Sequence, residues 1–517
     1  MAQKNKKAKK PKKNSYHRVN HSHEPRSRFL KRISMYGAFT IITIVLSILI
    51  FYRAKGYTFT KNGQVERRGI VLIDSAPVSS KISIDGKDTG KKTDYKLEVN
   101  EGSHTLKLEA DGYRTWETSF NIRSEQVEWF YYPYLIPTNI IEDVIQANIA
   151  AKTYSSLSSD NEIVAASKTG SGRGENLKLE LMQLKDADPI STAKELIVPS
   201  QIFSRQADGS LGVVSFSRWS PNGNSIFIEH VFDSKKEVIN LRVDAPEEST
   251  NLTNSIGPGL TEYRYDDGSK IHLLNNGQLA IYNPKTLQKE SVVDISVLSF
   301  NTFQSNKFVY TKLPVAGEVS GLDVFIKDGD NQPKKVAHIN GVTPQDLDFH
   351  YTTNRRVNYL SISNSVAKEL LIFKNPLDDT QIGEPLFLST FNSLASNQIK
   401  PSPLGSPQPG AYIALQLTAS SIFIYDFEAE RSITYDLSPS LGGSEIQNMS
   451  WIDSERLQVK TADSKIHYLD YDGNYVNQIT KTDQPLSFFI KSEDKTVIIN
   501  SAEPGKQTFS QIKFKKQ

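Results

Sequence analysis

The sequence predicts an all-β ectodomain, a small β-sandwich followed by a seven- or eight-bladed β-propeller, preceded by one transmembrane helix. Three observations predict it: a charge-free apolar stretch behind a basic tail, a run of short strands with period-two patterning, and a loose repeat through the rest of the chain.

The membrane segment comes first. Twelve Lys and Arg stand in residues 1–32 against Glu24 alone, and residues 33–52 carry no charge. At about 1.5 Å per residue this stretch spans roughly 30 Å as a helix, the thickness of a bilayer's hydrocarbon core. A flank rich in Lys and Arg stays in the cytoplasm. Residues 1–32 are therefore expected as a disordered cytoplasmic tail, 33–52 as a single-pass span of the cytoplasmic membrane, 53–68 as a juxtamembrane linker, and everything beyond as extracytoplasmic. A cleaved signal peptide has a shorter apolar core ending in small residues. Leu49-Ile50-Phe51-Tyr52-Arg53 offers no such site.

The net charge of +3 divides into about +11 before Ile33 and about −8 after it. The exported part is mildly acidic, so no nucleic-acid partner is expected. The run Lys6 to Lys13 serves orientation and contact with anionic lipid. The chain has no cysteine, which excludes disulfides, thiol nucleophiles and thiolate metal sites.

From 69 to 137 short β-type runs alternate with turn signals. Ile70–Ile73, Lys81–Ile84, Lys96–Val99, His104–Leu108 and Thr118–Ile122 place apolar side chains on every second residue, and Asp85-Gly86 is a hairpin turn. The order Pro77-Val78, Ile82-Ser-Ile-Asp-Gly86, Thr89-Gly90, Asn100-Glu-Gly102, His104-Thr-Leu106 and Asp111-Gly-Tyr113 resembles the PEGA domain, a small β module of bacterial and archaeal surface proteins. The naming tetrapeptide is degraded here to Asn100-Glu-Gly-Ser103. The resemblance implies an extracytoplasmic module that contacts envelope polymers. Its glycines are read as turn residues, and Tyr113 and Trp116 as packing residues.

The run Trp129-Phe-Tyr-Tyr-Pro-Tyr134 reads as a final strand and a domain junction, with a membrane-interface belt or a carbohydrate platform as the competing readings. Residues 138–152 hold Ile140, Ile141, Val144, Ile145 and Ile149 at helix-like spacing and are expected as a short connector.

Residues 153–517 carry the repeat: a polar turn, a strand, a second polar turn and another strand. Its clearest copy is Trp219-Ser-Pro-Asn-Gly223, Ser225–Ile228, Val238–Val243 and Asn251-Leu-Thr253. Further copies begin near Leu157-Ser-Ser-Asp160, Tyr265-Asp-Asp-Gly268, Phe303-Gln-Ser-Asn306, Tyr351-Thr-Thr-Asn354, Gly410, Trp451-Ile-Asp453 and Phe489-Ile-Lys-Ser-Glu493. The copies are similar to blades of TolB and WD40-like propellers, and about 45 residues per unit suits a four-stranded blade. The blade count is left at seven or eight, because residues 486–514 supply either a whole blade or strands for the first.

Motifs for chemistry are scarce. Gly170-Ser-Gly-Arg-Gly174 lacks the Lys-Ser or Lys-Thr of a phosphate loop and reads as a hairpin tip, and no Gly-x-Ser-x-Gly elbow occurs. His17, His21 and His23 lie in the tail, while His230, His272, His338, His350 and His467 stand singly and read as strand residues. Asp328-Gly-Asp-Asn331 and Asp470-Tyr-Asp-Gly-Asn474 read as turns rather than calcium loops. No catalytic, metal, cofactor-binding or ligand-binding residue is marked, and no cofactor is expected. The expected role is a cell-envelope-anchored binding or scaffold protein whose propeller meets a wall glycan, a peptide or an envelope protein. The alternative is a propeller-type carbohydrate-active enzyme with carboxylates in the central channel.

Overall fold

The computed structural model describes residues 26–55, 57–59, 65–150, 155–157, 163–168, 176–183, 194–303, 306–315, 320–378, 384–396, 398–402, 410–481, 487–490, 495–503 and 506–513. The Gly170–Gly174 tip, the histidines of the tail and most of the basic tail lie outside them. Two compact units result, residues 1–73, 95–104 and 119–130 in the first and residues 74–94, 105–118 and 131–517 in the second.

Helix α1 (Arg26–Ala54) begins inside the basic tail, so Arg26, Arg28, Lys31 and Arg32 are helical rather than disordered. Residues Leu30–Ala54 are long and apolar enough to cross a membrane, and none of that stretch is covered by protein. The segment 53–68, expected as a linker, instead carries β1 (Tyr57–Phe59) and the start of β2 (Val65–Ile73).

Strands β3 (Lys81–Ile84), β4 (Lys87–Lys92), β5 (Tyr95–Asn100), β6 (Gly102–Glu109), β7 (Trp116–Ile122) and β8 (Val127–Phe130) complete two four-stranded sheets. One has the order β1-β2-β5 with β8 also beside β2; the other runs β4-β3-β6-β7. Alternation drives both: Val71, Ile73 and Val99 are buried in the first, Ile82, Leu106, Leu108 and Trp116 in the second. The β3–β4 hairpin closes with Ile84 opposite Lys87, and its two turn residues, Asp85 and Gly86, hold φ of 50° and 73°. That left-handed pair is the backbone a two-residue hairpin needs. Strand β4 was not legible, since Lys87–Lys92 has no apolar alternation.

The rest is a propeller. Among the described residues eight four-stranded sheets follow one another: blades 1 to 7 span 155–198, 213–251, 260–294, 297–340, 347–390, 400–436 and 446–481. Neighbouring sheets meet through their first strands, which therefore line the axis: Val213–Trp219 touches Ser155–Leu157, and Val297–Phe303 touches both Leu260–Tyr265 and Leu347–Asn354. The core lies between blades. Leu179 and Val198 of blade 1 pack on Trp219 and Ile226 of blade 2, and Phe227 of blade 2 packs on Tyr263 and Ile271 of blade 3. Successive residues Ile226 and Phe227 thus serve opposite faces, and burial on both sides explains the nearly continuous apolar runs of the central strands.

Blade 8 corrects two expectations. It combines Ser487–Ile490, Lys495–Glu503 and Lys506–Lys513 with β9 (Ile141–Ala150), paired antiparallel to the last. Residues 141–150 are a strand, not a helix-like connector, and the lending runs from the start of the propeller to its end. The four isoleucines and valines of this segment, Ile141, Val144, Ile145 and Ile149, suit a strand as well as a helix, and ring closure decides between them.

The aromatic run divides. Trp129 is 59% exposed, whereas Phe130, Tyr132, Tyr134, Leu135 and Ile136 are buried. Within the second unit this buried part joins the β6–β7 region to blade 7. Trp116 Nε1 donates to Asp470 Oδ2 at 2.7 Å and Tyr132 OH to Asp472 Oδ2 at 2.9 Å. Tyr475 OH accepts from the Ile136 amide at 3.1 Å, and Asn474 Nδ2 donates to Thr118 Oγ1 at 2.9 Å. The Tyr132 ring meets Trp116 at 5.8 Å and Tyr471 at 5.0 Å, both edge-on, and Arg456 lies 4.0 Å over Tyr134. Asp470 and Asp472, read from the sequence as turn residues, each accept a hydrogen bond in this latch.

Candidate ligand-binding channel

From blade 3 to blade 7 side chains hydrogen-bond the inner edge of each blade to the next. Glu262 of blade 3 accepts from the Phe300 amide at 3.1 Å, and Asn301 Nδ2 of blade 4 donates to Phe349 O at 3.4 Å. Asp348 of blade 5 accepts from the Ile399 amide at 2.8 Å, and Trp451 Nε1 of blade 7 donates to Lys400 O at 2.6 Å. This belt fixes the side chains that face the axis.

Charge accumulates on those strands with an excess of cations. Arg264 Nη1 donates to Tyr263 O at 2.9 Å, and its guanidinium sits 5.8 Å over Phe300. Arg218, near the end of the first strand of blade 2, has no hydrogen-bond or ion-pair partner among the described residues. Water reaches it, yet protein hems it in: burial, then the neighbouring Arg264, pulls its guanidinium down to about 10. Tyr263 and Asp348 oppose that shift. Burial pushes Asp348 up against the pull of two backbone amides, Lys400 and Arg264, and pushes Lys400 down against Asp348. Groups from blades 2, 3, 5 and 6 feel one another, which the axis alone permits. Beside Lys400 opens a groove of about 410 Å³ between blades 6 and 7, lined by Gln398, Gln416, Glu445 and Asn448 among others.

Sequence reasoning missed Arg218, Arg264, Asp348 and Lys400. A signal was present for three of them, since Arg218, Arg264 and Asp348 lie within three residues of the anchors Trp219, Tyr265 and Tyr351, but nothing in the sequence distinguishes axis-facing from blade-facing positions.

The five isolated histidines all lie in strands. His230 donates from Nδ1 to Glu237 at 2.7 Å and accepts the Gly212 amide on Nε2 at 3.0 Å. Ser204 Oγ also donates to Glu237, at 2.7 Å, and Asn251 Nδ2 at 2.8 Å. Serine, histidine and carboxylate thus meet, but the serine binds the carboxylate and both imidazole nitrogens are occupied, so the group is structural glue rather than a nucleophile and base. A second groove, about 570 Å³ between blades 4 and 5, contains His338 and Lys335, both bound to Asp323 at 2.7 and 2.8 Å. Burial pushes His350 down to about 4. Among the described residues no group of three or more His, Asp or Glu has metal-binding geometry. Asp328 heads a turn that places Gly329 at φ 56°.

Residues 68–134 match the family model described as PEGA domain. No curated protein sequence matches the chain. Among solved structures, BamB from Moraxella catarrhalis is similar at 12% identity, with 72% of this chain and 99% of that one covered and a TM-score of 0.40. Sqt1 from Saccharomyces cerevisiae is similar at 10% identity, over 72% and 97% of the two chains, with a TM-score of 0.38. The β-propeller domain of Myceliophteria thermophila Cps50 (Swd1) reaches 8% identity and 0.35, over 57% and 94%. The chain therefore joins a candidate membrane helix, a PEGA domain and an eight-bladed propeller.

Proposed function

We propose that this chain is a membrane-anchored binding protein that holds its propeller outside the cytoplasmic membrane and receives an anionic group of an envelope polymer or peptide in the channel. The observation that carries the proposal is Arg218, a solvent-reached guanidinium on the first strand of blade 2 with no hydrogen-bond or ion-pair partner among the described residues and a second guanidinium, Arg264, near it. A carboxylate or phosphate would give this guanidinium the charge-assisted partner it lacks and relieve the repulsion from Arg264. The excess of Lys and Arg before α1 supports the orientation.

The geometry favours binding over glycosidic cleavage. Cleavage needs two carboxyl groups about 5–10 Å apart facing the sugar. The channel acids Glu262 and Asp348 each hold a backbone amide of the next blade.

Titration of the purified protein with polyglutamate and with polyphosphate at low salt tests the binding. Binding should weaken as salt rises and fall about 10-fold or more in Arg218→Gln, the worth of one charge-assisted hydrogen bond. Unchanged affinity in that variant, or no binding of either probe, would refute the channel. Protease shaving of intact cells tests orientation independently: peptides released after Tyr52 support it, and a protected propeller overturns it.

A further inference from the structure

The first unit leaves one sheet face uncovered, and its location names what covers it. On that face, strand pairing places Glu98 beside Ile70 and Ile70 beside Val127, and Lys96 beside Leu72 and Leu72 beside Trp129. Val127 is 41% and Trp129 59% exposed, while Ile70 and Leu72 are half-buried. The opposite face, with Val71, Ile73 and Phe130, is buried. An apolar strip ending in a bare indole is unusual on a surface facing water.

The strip is tied to the end of the membrane helix. Only Lys55 and Gly56 separate Ala54 from Tyr57, a leash of about 10 Å. Arg53 Nη2 lies 3.3 Å from Glu98 Oε1, so the helix end meets this same face. Two strand spacings, about 10 Å, then separate Glu98 from Val127. Around the helix end Tyr52 packs edge-on against Tyr57 at 5.5 Å. The nearby acids are matched: Glu98 also has Arg68 at 3.9 Å, and Glu125 has Lys55 at 3.9 Å. Aromatic rings and amphipathic cations at the end of a span are the residues that settle in the headgroup layer.

We propose that the face bearing Ile70, Leu72, Val127 and Trp129 rests in the outer headgroup layer of the bilayer that α1 crosses, with Trp129 as its anchor. The PEGA domain is then a second membrane contact that fixes how the chain stands on the surface, beyond its tether. The proposal rests on α1 spanning the membrane and is independent of the channel.

Tryptophan fluorescence tests it without reconstruction of the protein. The chain has four tryptophans, none in the span. Trp116, Trp219 and Trp451 are 0%, 3% and 8% exposed, so bromine in lipid can reach Trp129 alone. The full chain is placed in nanodiscs of zwitterionic or anionic lipid brominated high on the acyl chains. The expected result is a loss of emission relative to unbrominated discs, and absence of that loss in Trp129→Phe. No quenching in either lipid, or equal quenching in the variant, overturns the proposal. Quenching confined to anionic discs supports it and assigns part of the contact to Lys96 and its neighbours. Co-elution of protein with the discs reports insertion of α1 separately, so a failed span and an unseated face give different results.

Discussion

Trp116 and Trp129 stand in successive strands of the PEGA domain that belong to different sheets, and they do opposite work. Trp116 is wholly buried, donates to Asp470 and packs on Tyr132 and Tyr475, whereas Trp129 is bare. The difference lies in what each sheet meets: Trp116 packs on Tyr132 and Tyr475 beside blade 7, and Trp129 lies on a sheet face left exposed. Residue type alone says that both rings prefer burial with a polar tip satisfied. The domain uses one for a protein partner within the chain and leaves the other for a partner outside it.

The largest test of this contrast is truncation. Trp116→Ala should destabilise by about 3–5 kcal/mol in denaturant unfolding, the cost of an emptied aromatic site with a lost hydrogen bond. In detergent Trp129→Ala should stay within about 0.5 kcal/mol. Equal costs would break the comparison.

Next come the carboxylates on the buried side. Asp470→Ala strands the Trp116 indole and should cost about 1–3 kcal/mol, while Asp470→Asn keeps an acceptor and should cost much less. Two buried acids also predict opposite pH trends. Burial first, then Asp472, holds Asp470 well above its ordinary 3.8, so its contribution to stability is full below that range and is lost as pH rises through the folded value. Asp470→Asn should remove that loss. For Glu237 burial pushes upward, but hydrogen bonds from His230, Ser204 and Asn251 outweigh it and leave the carboxyl below its ordinary 4.5. Its contribution is present above that value and is lost as pH falls through the folded one. Glu237→Gln should cost about 1–3 kcal/mol at neutral pH and flatten the acid side of the stability profile.

The smallest effect on stability is expected at Arg218. Removing a solvent-reached cation that repels Arg264 should change unfolding free energy by at most about 0.5 kcal/mol in Arg218→Gln while binding of polyanions falls. A large loss of stability would move Arg218 from ligand site to scaffold. X-ray scattering of the whole chain in detergent, compared with Trp116→Ala, would sharpen the buried side further: loosening in the variant is expected if the latch joins the β6–β7 region to blade 7.

Much of this architecture was legible before any coordinates. The anchors at Trp219, Tyr265 and Trp451 each end the first strand of a blade, where the turn away from the axis needs polar, tight-turning residues behind a packed aromatic. Eight anchors correspond to eight blades, and the hairpin at Asp85-Gly86 was readable because few residues tolerate two left-handed conformations in succession. The functional residues were not legible. Consecutive members of the set Arg218, Arg264, Asp348 and Lys400 lie 46 to 84 residues apart, and they meet only where four blades converge.

By itself the sequence determined the apolar span, the absence of thiol chemistry, the strand periodicity of the PEGA domain and the propeller's repeat, because each depends on neighbours within about ten residues. Tertiary structure alone decided that residues 141–150 form a strand, that the aromatic run divides between a latch and an exposed face, and which cations meet at the axis. Those outcomes depend on partners far along the chain. β9 closes the ring only because a strand near residue 510 presents a free edge, and an isoleucine-rich segment without that edge has no reason to prefer strand over helix.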